Sequence, residues 1–291
     1  MRTICCGASD AVISAQRRED MRSSQQLYTK LAPRYREHFD SPHRRAYDAM
    51  AWDDVRHYLP GRGPIVDVGC GVGRWVERLL ALGYEVIGIE PAPGMIAELR
   101  RADHGQAFKL IGEPMETVQL PDESAGMVLA LGSLQYSADP EAMVRRFAGW
   151  VRPGGPVMVL VDSLVALVIE LLREEKYEEA MHRLRTRTGV WDVDEQSAEM
   201  HLMDRDRLQR AFQAAGLVDV QVTGLLATAA PLGPARLADR LERDWDAHLV
   251  IERELQAHPV LADIGKQLLA TGRRPAAGTG DRDCRGLEAG G

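Results

Sequence analysis

The stretch VDVGCGVGRW, Val66–Trp75, runs a short apolar segment into a loop almost without side chains. Gly69, Gly71 and Gly73 alternate there with Cys70 and Val72. Such a loop lets backbone N–H groups approach a ligand closely, and a helix N-terminus behind it favours an anion. A dinucleotide fingerprint needs G-x-G-x-x-G, whose third glycine lets the helix pack close to the strand. Arg74 occupies that third position. Asp67 precedes the loop by two residues, and Glu90 ends the next apolar run, where a carboxylate accepts both hydroxyls of a ribose. This combination suits a nucleoside linked to an amino acid better than one linked to a pyrophosphate.

Outward from the loop, the chain alternates two patterns. Pro64–Val68, Glu85–Ile89, Ala107–Ile111, Met127–Leu131 and Val157–Val161 read as strands; Arg74–Leu82, Gly94–Asp103 and Pro140–Val151 between them read as helices. This alternation predicts a mainly parallel sheet covered on both faces, with ligands at the carboxyl ends of its strands. Further on, Leu164–Thr186, Asp206–Ala215 and Arg236–Gln256 are helical in pattern, while Val218–Val222 and Lys266–Thr271 suit strands. The organisation expected is a helical cap at 21–60, an α/β core at 61–162, a helical insertion at 163–203 and a returning core at 204–272. A second helical insertion interrupts the returning core at about 225–262. Segments 1–20 and 273–291 read as disordered ends.

The chain has 291 residues, 45% hydrophobic and 27% charged, enough for one enlarged domain or a domain with a cap. Its net charge of −7 disfavours a protein that grips nucleic acid through a broad basic face. Cys5, Cys6, Cys70 and Cys284 show neither metal-ligand nor disulfide spacing, which points to a reducing cytoplasm. Cys70 reads as a small apolar filler within the loop. The most apolar window, Val157–Leu172, is broken by Asp162, Ser163 and Glu170 and is too short to span a bilayer. No membrane association and no metal are expected.

Five stretches in sequence order now carry a resemblance. VDVGCGVG (66–73), GIEPAPGMI (88–96), GEPMETVQLPDES (112–124), LALGSLQYSADP (129–140) and VRPGGPVMV (151–159) resemble the successive motifs of class I S-adenosylmethionine-dependent methyltransferases. The likeness covers residues 25–162 closely and 204–224 more weakly. It implies a doubly wound, mainly parallel seven-stranded sheet with helical caps, and S-adenosyl-L-methionine as cofactor. By the same resemblance Gly69 and Gly71, with Cys70 between them, contact the methionine moiety, and Asp67 binds its ammonium directly or through water. Glu90 holds the ribose diol beside Pro91, and Met95 packs near the adenine. Glu113 stands where the family has Asp, followed by Pro114 and Met115, so the adenine contact is shifted or made by backbone. Leu131, Gly132 and Ser133 line the sulfonium side, while Ala125-Gly126 replaces the family's Phe-Asp pair. LYTKLAPRYREHF (27–39) resembles the segment that covers the cofactor. Tyr28 and Tyr35 either reach the methionine end or simply pack this helix onto the sheet, and Arg34 or Arg74 pairs with the carboxylate.

Methyl transfer requires a positioned nucleophile and excluded water, and a base only for a weakly acidic or protonated acceptor. Candidate catalytic residues are Glu170, in an apolar stretch that would raise its pKa, Tyr136 after the fourth strand, and His201. Glu170 also reads as the polar edge of an amphipathic helix, and Tyr177 and His182 are weaker candidates. The acceptor expected is a small molecule methylated on O, N or C, in the biosynthesis of a specialised product, by a monomer or homodimer. The competing readings are methylation of a peptide or protein carboxylate or amine, a non-catalytic cofactor-fold binding protein, and a nicotinamide-dependent oxidoreductase.

Overall fold

Residues 24–193 and 195–276 are described in the computed structural model. β1 (Ile65–Val68) is buried at every position, as a strand covered on both faces must be. β2 (Val86–Ile89) and β3 (Phe108–Ile111) extend the sheet on one side of it, β4 (Met127–Leu131) and β5 (Pro156–Asp162) on the other, all parallel. β6 (Thr188–Val193) and β7 (Gln196–His201) form a separate antiparallel hairpin. β8 (Val218–Leu225) and β9 (Gln267–Arg273) return to the main sheet, with β9 antiparallel to both β5 and β8. The resulting order is β3-β2-β1-β4-β5-β9-β8, the expected doubly wound, mainly parallel seven-stranded sheet.

The period-two alternation of strand side chains divides the core into two layers. Val66, Val68, Val128 and Val159 face Phe147, Trp150 and Phe212. Ile65, Met127, Leu129 and Met158 face Met50, Val55, Trp75 and Leu79. The first layer is covered by α5 (Pro140–Trp150) and α8 (Arg205–Ala214), the second by α2 (Pro42–Tyr58) and α3 (Arg74–Ala81). α4 (Pro93–Leu99) follows β2, and α1 (24–31) leads through 3-10 turns at Ala32–Arg34 and Glu37–Phe39 into α2. Helix starts follow local chemistry. Asp139 and Asp204 accept from the backbone N–H of Ala142 and Arg207, capping α5 and α8.

Four sequence expectations are corrected. The predicted helix Leu164–Thr186 is two helices, α6 (Leu164–Arg173) and α7 (Tyr177–Thr186), because Glu175 takes a left-handed backbone with φ of 59° between them. The insertion at 163–203 is therefore not wholly helical: its second half is the hairpin β6–β7. The helix expected at Arg236–Gln256 follows α9 (Ala229–Leu232) and divides into α10 (Pro234–Arg243) and α11 (Trp245–Gln256) at Asp244, which accepts from Ala247 N–H to start α11. The tail expected from 273 starts later. Arg273 ends β9, and the Arg274 guanidinium donates to the carbonyls of Ala148, Gly149 and Val151. The expectations for 1–20, for Cys5, Cys6 and Cys284, and for the tail beyond 276 lie outside the described residues. Among the described residues no helix is long and apolar enough to cross a membrane.

The cap helix α1 sits directly on the start of α4. A Cβ at Gly94 would stand 2.3 Å from the Thr29 carbonyl oxygen, a backbone atom unable to swing aside. Gly94→Ala is expected to cost about 1–3 kcal/mol, the usual range for overpacking, measured as a lower denaturation midpoint. An unchanged midpoint would show that α1 does not rest on α4.

Candidate active site

The turn after β1 is organised by its neighbour strand. Gly69 and Cys70 N–H groups both donate to the Ile89 carbonyl, at 2.7 and 3.1 Å, and bring the loop against the end of β2. Glu90 completes the join: its carboxylate accepts from Gly71 N–H at 2.9 Å and from Ala92 N–H at 2.8 Å. Gly69 has a φ of +75°, and a Cβ there would lie 2.3 Å from the Ser133 Cβ. No other residue fits, because Ser133 is held in place by donating its hydroxyl to the Val68 carbonyl.

Two carboxyl groups are buried at this strand edge. Asp67 is 1% exposed and its Oδ2 has no hydrogen-bond partner among the described residues. Burial, followed by the nearby Glu90 charge, pushes Asp67 up to about 7. Burial also pushes Glu90 up to about 7, against the two backbone N–H donors that favour its charged form. Burial raises the Cys70 thiol as well, and its Sγ fills the space over Gly88, so it behaves as an inert filler.

The carboxyl edge opens into two adjoining cavities. The smaller, about 90 Å³, lies along Glu90, Pro91, Met95, Pro114, Met115 and Ser133. The larger, about 440 Å³, lies beyond it. Tyr28, Tyr35, Gly69, Gly71, Leu131, Gly132 and Tyr136 line both. Gly132, with φ of +93° and nothing within 4 Å of its would-be Cβ, leaves open space at the junction. The two cavities adjoin through these shared lining residues.

Most residues named from sequence converge on this site, and several do not act as expected. Glu113 is exposed, accepts from the Thr117 hydroxyl and lines neither cavity; Glu116, in the turn that follows, lines the smaller one instead. His201 ends β7 beside Glu141 and lines neither cavity, so it is not placed to act as a base there. Glu170 lines the larger cavity, but Lys266 Nζ contacts its two oxygens at 2.8 and 2.7 Å. It is a paired charge, not a carboxyl in apolar surroundings. Arg74 is occupied too, ion-paired with Asp48 and stacked on Phe39 at 3.3 Å from the ring centre. Arg34 lines neither cavity, and Tyr177 and His182 are exposed on α7.

Tyr28 packs the cap and also edges the site. Its ring packs on Tyr136, Tyr35 and Trp191, with centres 5.5, 6.1 and 5.4 Å away, and it also lines both cavities. Burial raises the phenols of Tyr28 and Tyr136 well above their ordinary value. Sequence reading missed Asp162, at the carboxyl end of β5 and in the wall of the larger cavity. Gln135 Nε2 donates to its Oδ2 at 2.7 Å and Gln267 Nε2 to its Oδ1 at 3.4 Å. The available signal was the rule that ligands meet strand ends; Asp162 closes the fifth strand as Glu90 closes the second.

Residues 66–159 match a family model described as a methyltransferase domain. The chain is 36% identical over 206 residues to a ubiquinone biosynthesis O-methyltransferase of Methylobacterium nodulans, covering 69% of this chain and 76% of that protein. The chain belongs to the class I S-adenosylmethionine-dependent methyltransferases. A trans-aconitate 2-methyltransferase of the same organism is 31% identical over 162 residues, 54% of this chain and 55% of that one. Among solved structures, a SAM-dependent methyltransferase of Thermotoga maritima, described as a possible histamine N-methyltransferase, superposes with a TM-score of 0.55 at 16% identity. The superposition covers 86% of this chain and 99% of the Thermotoga protein, and shows the shared fold.

The methyltransferase's two buried carboxyls give it a specific pH signature. In the unfolded chain they release protons in the ordinary carboxylate range, but in the folded chain only near 7. The folded state therefore holds more protons between these limits and loses stability as pH rises through about 7. The ligand-free enzyme is expected to unfold at a lower temperature at pH 8 than at pH 6. Asp67→Asn should reduce that slope and leave the share of Glu90; an Asn variant with the wild-type slope would exclude Asp67 as a source.

Proposed function

We propose that this methyltransferase transfers a methyl group to a small molecule held in the larger cavity. One observation carries the reading: the space proposed for the acceptor, about 440 Å³, shares lining residues with the nucleotide-side cavity and is lined by α1, β6 and α6, a volume suited to a small molecule. A biosynthetic role in a specialised product belongs to the same proposal, and relatives named for ubiquinone biosynthesis support biosynthesis as the setting.

The site fits the cofactor by its own features. Asp67 Oδ2 is a buried acceptor without a donor, suited to an ammonium. Each Glu90 oxygen keeps a lone pair beyond its backbone bond, enough for both ribose hydroxyls. Met95 and Met115 with Pro114 offer an apolar slot for a flat base, and Glu116 lines the same cavity as a carboxylate for its edge. Gly69, Gly71, Gly132 and Ser133 keep bulk out of the junction, while Pro91 and Leu131 complete its walls. When bound, S-adenosylmethionine supplies a methyl group on a sulfonium that is already a good leaving group. The protein's work is then placement and exclusion of water. Tyr28, Tyr35, Tyr136 and Trp191 form an aromatic wall at the junction of the cavities. Asp162, oriented by Gln135 and Gln267, takes the proton of a hydroxyl or protonated amine acceptor.

Titration calorimetry tests the cofactor half. Wild-type enzyme is expected to bind S-adenosylhomocysteine in the micromolar range and NAD far more weakly. Glu90→Ala should weaken S-adenosylhomocysteine by ~10-fold or more, a loss of about 1.4 kcal/mol. Equal affinity in the variant would move the ribose contact elsewhere. For the chemical half, Asp162→Asn should lower kcat by ~10²–10⁴, the range for a lost general base, and leave S-adenosylhomocysteine affinity as it was. Undiminished turnover would exclude Asp162 as the base.

A further inference from the structure

Four cationic side chains line the larger cavity, and three of them are already neutralised. Arg74 is paired with Asp48, and Lys266 with Glu170. Arg173 approaches Glu174 at 3.8 Å and donates to the Ala230 carbonyl. The fourth, Arg44 on α2, is half-buried over the Phe39 ring, 5.7 Å from its centre. Among the described residues Arg44 has no carboxylate partner. A guanidinium turned into a cavity without an anion is desolvated without return, and stacking on an aromatic face leaves its hydrogen-bonding edge free.

His43, next to Arg44, faces the same space. Burial together with the nearby Arg44 and Lys266 charges pushes its imidazole down, which places these groups around one pocket. The remaining lining is apolar at Leu167, Met200, Leu202 and Leu226. Asp162 lies in the same cavity wall, on the strand end next to the junction residues Leu131 and Gly132. A ligand satisfying this wall has an apolar body and an anion.

We infer that the methyl acceptor is itself an organic anion, an apolar molecule whose carboxylate or phosphate is held by Arg44 and His43 while its nucleophilic atom faces the cofactor side. This rests on the small-molecule reading above and narrows its substrate class. Arg44 is then a specificity-determining residue: it selects and anchors the acceptor, and does not touch the sulfonium side.

The test separates the two readings. A polar small-molecule extract of the native host is divided by anion exchange, and each fraction is incubated with enzyme and methyl-deuterated S-adenosylmethionine. Labelled product is expected from the retained, anionic fraction, and phosphatase treatment of that fraction distinguishes a phosphate from a carboxylate. With the acceptor purified from it, Arg44→Gln should raise KM by ~10-fold or more at little change in kcat, as loss of one charge-assisted contact predicts. Arg44→Lys should recover part of that loss. S-adenosylhomocysteine affinity and the melting temperature should match wild type in both variants, which a merely structural role for Arg44 would not leave intact. Product arising only from the unretained fraction, or an unchanged KM in Arg44→Gln, overturns the anionic acceptor and leaves the small-molecule reading standing. Product from neither fraction overturns both.

Discussion

The carboxylate of Glu90 ties the ends of two strands together. By accepting from Gly71 on one side and Ala92 on the other, it fixes the loop after β1 against the loop after β2. Everything at the carboxyl edge of the sheet is arranged around that join. The loop cannot retreat, because Gly69 and Cys70 are also bonded to Ile89, and it cannot carry side chains, because Ser133 stands against Gly69. What results is a rim with two buried acids and, among the described residues, no cation directly bonded to them. In the function proposed for it, a ligand bringing an ammonium and two hydroxyls completes that rim.

The second constraint comes from the cap. Parallel sheets of this kind leave their strand ends open, and the chemistry of small-molecule methyl transfer needs that end covered. Here the cover is assembled from distant parts of the chain: α1 resting on Gly94, and the hairpin β6–β7 presenting Trp191 to Tyr28. The tyrosines are thus structural and site-lining at once. Each ring is half-buried where it packs the cap, and each edges the junction of the cavities because the cap meets the sheet there.

Much of this was legible in the chain. The mainly parallel sheet follows from alternating apolar runs and helical patterns, and Asp67, the glycine loop and Glu90 announce themselves because their spacing relative to strand ends is local. The losses are equally instructive. Glu113 occupies the familiar position after β3, but its side chain turns to solvent and Glu116 takes the inner position. Glu170 sits in an apolar run, yet Lys266, almost a hundred residues on, neutralises it. Arg74 follows the loop directly but is claimed by Asp48. For Glu170 and Arg74 a partner distant in sequence decided the outcome, and no local pattern encodes such a partner.

The sequence by itself determined the doubly wound sheet and the cofactor edge, because both are written in short-range periodicity and in residues within a few positions of a strand end. The tertiary structure alone decided the acceptor side: which charges are cancelled, that Asp162 is oriented by two amides, and that Arg44 is left unmatched by any described carboxylate. Those features depend on how the cap, α2 and the start of β9 meet over one cavity. That meeting is set by packing between segments more than two hundred residues apart, which is why the methyl donor can be read along the chain and the proposed acceptor side only across it.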